Sequence, residues 1–599
     1  MKRIKIKYIK FLFLIIPFLL IASCEDYLDK SPESIINDED IFTHFYNYQG
    51  FIEEMYNCIV DYGHAGYARF LFADEVISGV QHTFDVGNYW ESSGGSGLFW
   101  GSVSTAQVNF DKRVWPLCWY GIRKANIALS KLDMFQGTKE ERDVLEGQAL
   151  FFRAWFHFEL MRFWGGMPYI DSVLEPDKEY LKPRLSYKEC ALKVAEDFKK
   201  ASELLPVDWD TMDYGQLTLG GNRQRISKIM AMAYQGKVLL FAASPLMNGQ
   251  SVGNYSYDAE LCKLAADIFG ETINLCSTTQ MFELEPWKSR TDNFYNFVAY
   301  KMTGGKEVIM NATPYLWYRT ESHMIGRTLP KQLGKGNNGV ISPEVPTHNY
   351  IMNYAMKNGL PIDDSESGFD PNDPWANREP RFYIDITIDG DWLTKQTAAG
   401  PDMFAQLYNN GRHRAGVEGS VTGYFYRKFS PQGLSQWDYN DVRKFNAFIP
   451  FLRLADVYLM YAESVLHGYG SPLATTSTSS LSALDALNVI RNRSQLPNLL
   501  PRYYASKEKF MEEIIRERAV ELAFEGQRFD DLRRWNIADK PKFNIKTAIN
   551  FDRGTNGKPT NIQENIIIKK TFIKGKHEWL PINYKDTKIF EGFQQNPGW

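Results

Sequence analysis

The sequence predicts a mainly α-helical fold, in which paired helices form a scaffold that carries long irregular insertions and small β-hairpins. Three observations predict it. Several long segments repeat apolar residues at helical spacing and end on helix stop signals. Small residues cluster on one of these helices, where neighbouring helices have to approach closely. Between the helices lie long Gly-, Pro-, Asn- and aromatic-rich stretches with no helical period, longer than ordinary connections.

The chain begins with a basic segment (Lys2, Arg3, Lys5, Lys7, Lys10), and an apolar run of 12 residues follows, Phe11 to Ala22. A membrane-spanning helix needs about 20 apolar residues, and Pro17 interrupts this run, so residues 1–23 read as a signal peptide. The run ends Ile21-Ala22-Ser23-Cys24. Small residues ahead of a cysteine resemble a bacterial lipobox, which makes Cys24 the expected site of lipidation and the first residue of the mature chain. Cleavage removes five positive charges, so the formal charge goes from −4 for 599 residues to −9 for the remaining 576. The acidic Glu25, Asp26 and Asp29 follow directly, and this stretch resembles a surface-export signal of Bacteroidetes lipoproteins. Attachment then rests on acyl chains rather than on attraction to anionic lipid.

The helices follow in order. In Glu146–Trp164 apolar residues cover nearly every face, as in a helix buried between neighbours. Its polar points are Glu146, Arg153, His157 and Glu159, and it stops at Gly165-Gly166 before Pro168. A second pattern covers Arg184–Leu205. A third, Ser227–Ala243, carries Ala231, Ala233, Gly236, Ala242 and Ala243 and ends at Ser244-Pro245. Leu452–His467 and Ser482–Ser494 are joined by the Ser/Thr-rich loop 471–480. Lys507–Phe524 follows, with Glu512 and Arg516 placed as an exposed i,i+4 pair. Such helix pairs suggest a TPR-like array, although no 34-residue repeat is visible. The irregular stretches are Asp74–Pro116, Thr303–Pro346 and Gly359–Lys444, the last with strand-like runs at Tyr383–Ile388 and Gly423–Lys428.

Composition excludes several functions. Hydrophobic residues are 44% and charged residues 23%, which is ordinary for a folded chain. A mean hydropathy of −0.37 excludes a multi-span membrane protein. The acidic balance argues against nucleic acid as a partner, because non-specific binding there requires dense Lys/Arg. Six cysteines in this length make no disulfide framework. Cys190 and Cys262 fall in helical patterns as small buried residues.

No catalytic residue is nominated. GxSxG, HExxH and Walker A sequences are absent, and Trp100 breaks the GxGxxG pattern that starts at Gly95. His157 reads as a hydrogen-bonded helix residue. No metal or other cofactor is indicated: Asp363, Asp364, Glu366, Asp370 and Asp373 share one loop, as Ca²⁺ ligands can, but they lack EF-hand spacing and read as a solvated acidic turn.

A binding function is argued from the 87 aromatic residues (39 Phe, 33 Tyr, 15 Trp). Sugar rings stack their C–H faces on Trp and Tyr, while amides, carboxylates and guanidinium groups bond the hydroxyls, so a sugar site needs aromatics in loops. Two loops qualify. One carries Asn88, Tyr89 and Trp90, then Phe99 and Trp100 beyond a Ser/Gly spacer. The other carries Tyr315, Trp317, Tyr318 and Arg319. Trp437 and Tyr439 form a third, weaker candidate, and Trp115 and Trp119 read as core.

Nine segments in register resemble the SusD/RagB family of Bacteroidetes outer-membrane lipoproteins. They are Tyr120–Leu129, Glu146–Ile170, Arg225–Pro245, Asn377–Tyr383, Thr422–Phe429, Pro450–Ser464, Ala483–Ser494, Glu517–Trp535 and the terminal EWLPIN and QQNPGW sequences. The resemblance implies a right-handed scaffold of TPR-like helix pairs. It implies one mature domain, 24–599, with an N-terminal part to about residue 300 and a C-terminal part from about 301. It implies a lipid-anchored outer-membrane protein, facing the cell exterior, that captures glycan and passes it to a SusC-like TonB-dependent transporter. In such proteins loop aromatics form a sugar-binding arc, which by region points to Trp90, Trp100 and Trp317. Arg153, Glu525, Arg528, Asp531 and Arg534 fall in scaffold segments and are expected to be structural ion pairs. A peptide-binding RagB-like protein, a surface glycoside hydrolase and a purely structural transporter partner are the alternatives.

Overall fold

The computed structural model describes residues 37–60, 71–78, 83–90, 114–175, 178, 182–288, 305–311, 344–393, 404–414, 419–428, 449–588 and 592–599. Residues 1–36, with Cys24, lie outside it, as do Trp100, Tyr315, Trp317, Arg319, Trp437 and Tyr439.

The scaffold is a stack of long helices. In chain order α1 (Asp38–Phe42), α2 (Phe45–Asn57), α3 (Val114–Ser130), α4 (Lys139–Trp164), α5 (Tyr187–Leu204), α6 (Lys228–Ala243), α7 (Pro245–Val252) and α8 (Ala259–Thr279) form the first half. The second half contains the short α9 (His348–Ile351) and α10 (Pro380–Asp385), then α11 (Leu454–Tyr469), α12 (Ala483–Arg493), α13 (Lys507–Glu521), α14 (Arg528–Arg534) and α15 (Pro541–Asn544). Helix α3 packs on α4, α4 on α5, α5 on α6, α6 on α8, α8 on α11, and α11 on α12 and α13.

Helix α4 is the spine. It starts seven residues before the expected Glu146, because Thr138 and Glu141 close a capping box: the Glu141 N–H donates to Thr138 Oγ1 at 3.1 Å and the Thr138 N–H to Glu141 at 2.9 Å. Its first turns are polar and so lack apolar period. It ends where expected, at Gly165 with φ +82°. Phe151, Phe152, Trp155, Phe156, Phe158, Phe163 and Trp164 are all buried, and each contributes about 2–3 kcal/mol of apolar burial. The close approach expected at Gly236 of α6 is seen, since a Cβ there would lie 2.7 Å from Phe269 of α8; Gly121 of α3, which the sequence did not single out, is as tightly placed, and a Cβ there would lie 2.2 Å from the Phe156 ring.

Among the described residues, strands occur as four two-stranded antiparallel ribbons. They pair β1 (Val76–Ile77) with β3 (Val345–Pro346), β2 (Val308–Asn311) with β6 (Pro450–Arg453), β4 (Ile386–Thr387) with β5 (Phe425–Tyr426), and β7 (Ile545–Arg553) with β8 (Pro559–Lys569). The β7–β8 hairpin is not evident in the sequence, because β8 is exposed along most of its length and shows no alternation. The strand-like run 383–388 is corrected: Pro380 opens a helical turn to Asp385, and only Ile386–Thr387 is strand. The expected Glu512–Arg516 pair is also corrected, since Arg516 pairs with Glu513 at i,i+3, where both side chains are largely buried.

A buried ionic lattice joins the two halves. Arg162 pairs with Asp530, and Arg528 with Asp74 at 3.0 Å. Arg153 holds Asp197 at 2.6 Å, Arg518 bridges Asp456 and Asp531, and Arg534 pairs with Glu463 and Asp531. Arg453 meets Glu307, Glu521 and Glu525 at 2.5–2.8 Å. The charged residues of the scaffold segments are therefore structural. His157 is too: its Nδ1 donates to the Arg153 carbonyl at 2.8 Å and its Nε2 accepts from the Ile170 N–H at 3.1 Å, so the ring is neutral. Burial holds its pKa down at about 4.

Candidate ligand-binding surface

The first aromatic loop is held by its own turn and by the C-terminal segment. The Asn88 N–H donates to the Thr83 carbonyl at 3.0 Å, and Gly87, at φ +72°, sits so close to Thr571 and His577 that a Cβ would lie 2.9 Å from each. The Thr571 N–H donates to the Asp85 carbonyl at 2.8 Å. On this base Trp90 stands 41% exposed, edge-on to Trp599 at 6.0 Å. Trp599 is itself fixed, its indole N–H shared between the carbonyls of Lys576 and Trp579 at 3.1 and 3.0 Å, and the Lys576 ammonium lies 4.1 Å from its ring centroid. Asn88 is exposed beside Trp90. The result is a rigid aromatic shelf with an amide and an ammonium at hand.

Tyr89 departs from expectation. It is 2% exposed, with its ring packed on Phe84 (4.6 Å), His577 (4.8 Å) and Trp599 (5.8 Å), so it supports the shelf rather than forming part of its surface. Burial and the neighbouring Lys576 hold His577 down at about 4. Its Nδ1 accepts from the Ile573 N–H at 2.8 Å.

A second region is a cleft of about 390 Å³ between α2, the 221–226 turn and the end of β2. Arg225 spans its wall: it bonds Glu53 at 2.7 Å and Asn222 at 2.9 Å and lies 5.1 Å from the Trp209 ring. Gln224 Oε1 accepts from the Asn311 N–H at 3.1 Å, and Tyr56 and Asn57 complete the polar lining. This is the amide, guanidinium and carboxylate chemistry that sugar hydroxyls require. Asn311, at the end of β2, closes the cleft on that side. Glu53, Gln224, Arg225 and Asn311 were not evident as site residues in sequence, because Glu53 and Arg225 are 172 positions apart.

The acidic loop is not simply solvated. Asp364 and Glu366 pair with Arg502 at 3.0 and 2.5 Å, and Asp373 with Lys558 at 2.8 Å. These carboxylates are spent on protein cations. Among the described residues, no group of three His, Cys, Asp or Glu side chains is arranged to hold a metal ion.

A family model described as SusD family matches residues 306–599, and one described as "Starch-binding associating with outer membrane" matches residues 26–219. The SusD-like protein P38 of Formosa agariphila is 23% identical over 560 residues, covering 89% of this chain and 92% of that protein. A SusD-like protein of Bacteroides fragilis superposes with a TM-score of 0.68 at 22% identity, over 95% of this chain and 100% of the other. A SusD-like carbohydrate-binding protein of the same organism gives 0.63 at 19% identity, over 92% and 99%. The matched family models and the shared fold thus agree with the nine sequence segments, and the chain belongs to the SusD/RagB family.

Proposed function

We propose that this protein is a non-catalytic glycan-binding lipoprotein of the outer membrane. It is anchored through Cys24, faces the cell exterior, and delivers captured oligo- or polysaccharide to a SusC-like TonB-dependent transporter. The observation that carries the reading is the Trp90–Trp599 shelf: a large aromatic face kept partly in water on a base too well packed to collapse over it. Such exposure favours a ligand with a flat apolar face. The polar cleft at Arg225, Gln224 and Asn311 supplies hydroxyl partners, and Trp100, Tyr315, Trp317 and Arg319 are proposed as further contacts. Among the described lining residues of that cleft Glu53 is the single carboxylate, and it is already paired with Arg225, whereas a glycosidase needs two carboxylates across the bond.

A glycan and peptide array with the lipid-free mature chain tests the ligand class. Binding of glycans without release of reducing ends supports the proposal. Binding of peptides alone, or release of reducing ends, overturns it. Co-purification of a large β-barrel protein from outer membranes tests the transporter partnership.

A further inference from the structure

A separate pocket lies between α3, the segment that follows α4, and Phe593 of the C-terminal segment. Its volume is about 240 Å³, and its walls are Trp115, Trp119, Ile122, Ile170, Leu174 and Phe593. Trp115 is locked edge-on against Trp164 at 4.9 Å and Trp119 at 5.7 Å, and it lies parallel to Phe593 at 6.4 Å. The rim is equally fixed. Asn126 donates to the carbonyls of Ile170 (3.0 Å) and Ser172 (3.2 Å) and accepts from Arg153 (3.2 Å). The pocket is therefore preformed.

Its chemistry is unlike that of the shelf. The Asn126 side chain is already engaged by protein partners, so a hydroxyl-rich sugar entering the pocket would exchange water for apolar walls. Arg123 is the exception. It is exposed, uses Nη1 to donate to the Leu174 carbonyl at 2.8 Å, and has no carboxylate partner among the described residues. Its other donors stand at the mouth of an aromatic-walled cavity, in the fork geometry that suits a carboxylate. Size narrows the ligand further: a cavity of roughly 150 Å³ admits benzene, while drug-sized ligands need about 300 Å³ or more. The space fits one substituted ring.

We propose that this pocket binds a small aromatic carboxylate, with its ring against Trp119 and Phe593 and its carboxylate on Arg123. The inference does not depend on glycan binding at the shelf.

The test is calorimetric titration of the mature chain with 3-phenylpropionate and with the neutral 3-phenylpropionamide. Saturable binding is expected, with the acid preferred by about tenfold, the scale of a charge-assisted pair. Arg123→Gln, an exposed substitution, should remove that preference while leaving amide binding intact. Trp119→Ala should weaken both probes, and Trp90→Ala neither. If Trp119→Ala fails to fold, the acid-against-amide comparison in Arg123→Gln still decides the matter. Absence of saturation at millimolar acid, equal binding of acid and amide by the unmodified chain, or a preference that survives Arg123→Gln overturns the proposal.

Discussion

Replacing Arg453 by Met should destabilise the protein by about 3–5 kcal/mol, the range for removing one partner of a buried ion pair. Arg453 is 2% exposed and stands at the start of α11, where its guanidinium meets Glu307 at 2.5 Å, Glu521 at 2.8 Å and Glu525 at 2.8 Å. Those three carboxylates also meet Arg493, which holds Glu307 at 2.6 Å, Lys428, which holds Glu525 at 2.8 Å, and Arg381, which holds Glu521 at 3.1 Å while also pairing with Glu379 and Glu517. Met fills much of the volume but removes the one cation that all three carboxylates share, leaving the buried cluster one positive charge short. Apolar replacement of a whole ionic group is often neutral, whereas removal of one member strands a charge. The assay is equilibrium unfolding in urea at pH 7 and pH 5. In the variant the stranded carboxyl has its folded pKa raised above its unfolded value, so the folded state binds the extra proton and the deficit shrinks as pH falls. The double variant Arg453→Met/Glu525→Gln should recover much of the loss. A loss below about 1 kcal/mol at pH 7, with no pH dependence, would refute the reasoning, because a stranded buried charge cannot be that cheap.

Other outcomes follow from the packing and the charges. Gly121→Ala should destabilise by about 1–2 kcal/mol, since overlap with the Phe156 ring outweighs the roughly 1 kcal/mol gain in helix propensity. Gly50→Ala in α2, where nothing lies within 4 Å, should stabilise by about that gain, and urea midpoints would check both signs. Burial pushes the carboxyls of Asp456 and Glu463 up, but Lys237 and Arg518 for the first and Arg534 for the second outweigh it and hold each at about 2. Their stabilisation, about 2–3 kcal/mol each, is present above the ordinary carboxylate range and is lost as pH falls through 4 towards 2. His157, kept neutral with a pKa of about 4, adds a loss that begins as pH falls below about 6.5. Burial raises Glu75 to about 8, which adds stability as pH falls from 7 towards 4.5, so the decline in unfolding curves should be clearest below about pH 4.5, and Asp456→Asn should flatten its acid end. Cys58, Cys118, Cys190, Cys262 and Cys276 are buried and unbridged, and burial pushes Cys190 and Cys276 up to about 12. A chain beginning after Cys24 should show no thiol reactive to Ellman's reagent until unfolded, then five. Rapid native labelling would contradict that.

The helices were legible where apolar period coincides with a cap. Helix α6 lies within one residue of its expected span, because Ser227 caps its start and Ser244-Pro245 closes it. The start of α4 was not, because its polar first turns are set by a capping box rather than by a buried face. The β7–β8 hairpin escaped for a related reason: strand pairing there orders an exposed strand with no apolar pattern to announce it. At the candidate site, the Gly/Ser-rich context of Trp90 was a sound guide to exposure. The same context misled at Tyr89, whose partners His577 and Trp599 lie 488 and 510 residues further along the chain. Separation also hid the Arg225–Glu53 wall of the cleft. Local signals marked elements and loops, but not the distant side chains that decide which loop aromatics are covered.

The most direct test of the account is glycan titration of the Trp90→Ala variant beside the unmodified mature chain, with thermal melting of both and of Trp317→Ala. Trp90 is 41% exposed, so its truncation should leave the melting temperature nearly unchanged while glycan affinity falls at least about tenfold. The same pattern is predicted for Trp317→Ala. Glycan binding that persists unchanged in both variants, or a large loss of stability in both, would contradict the claim that these loops present their aromatics to a sugar.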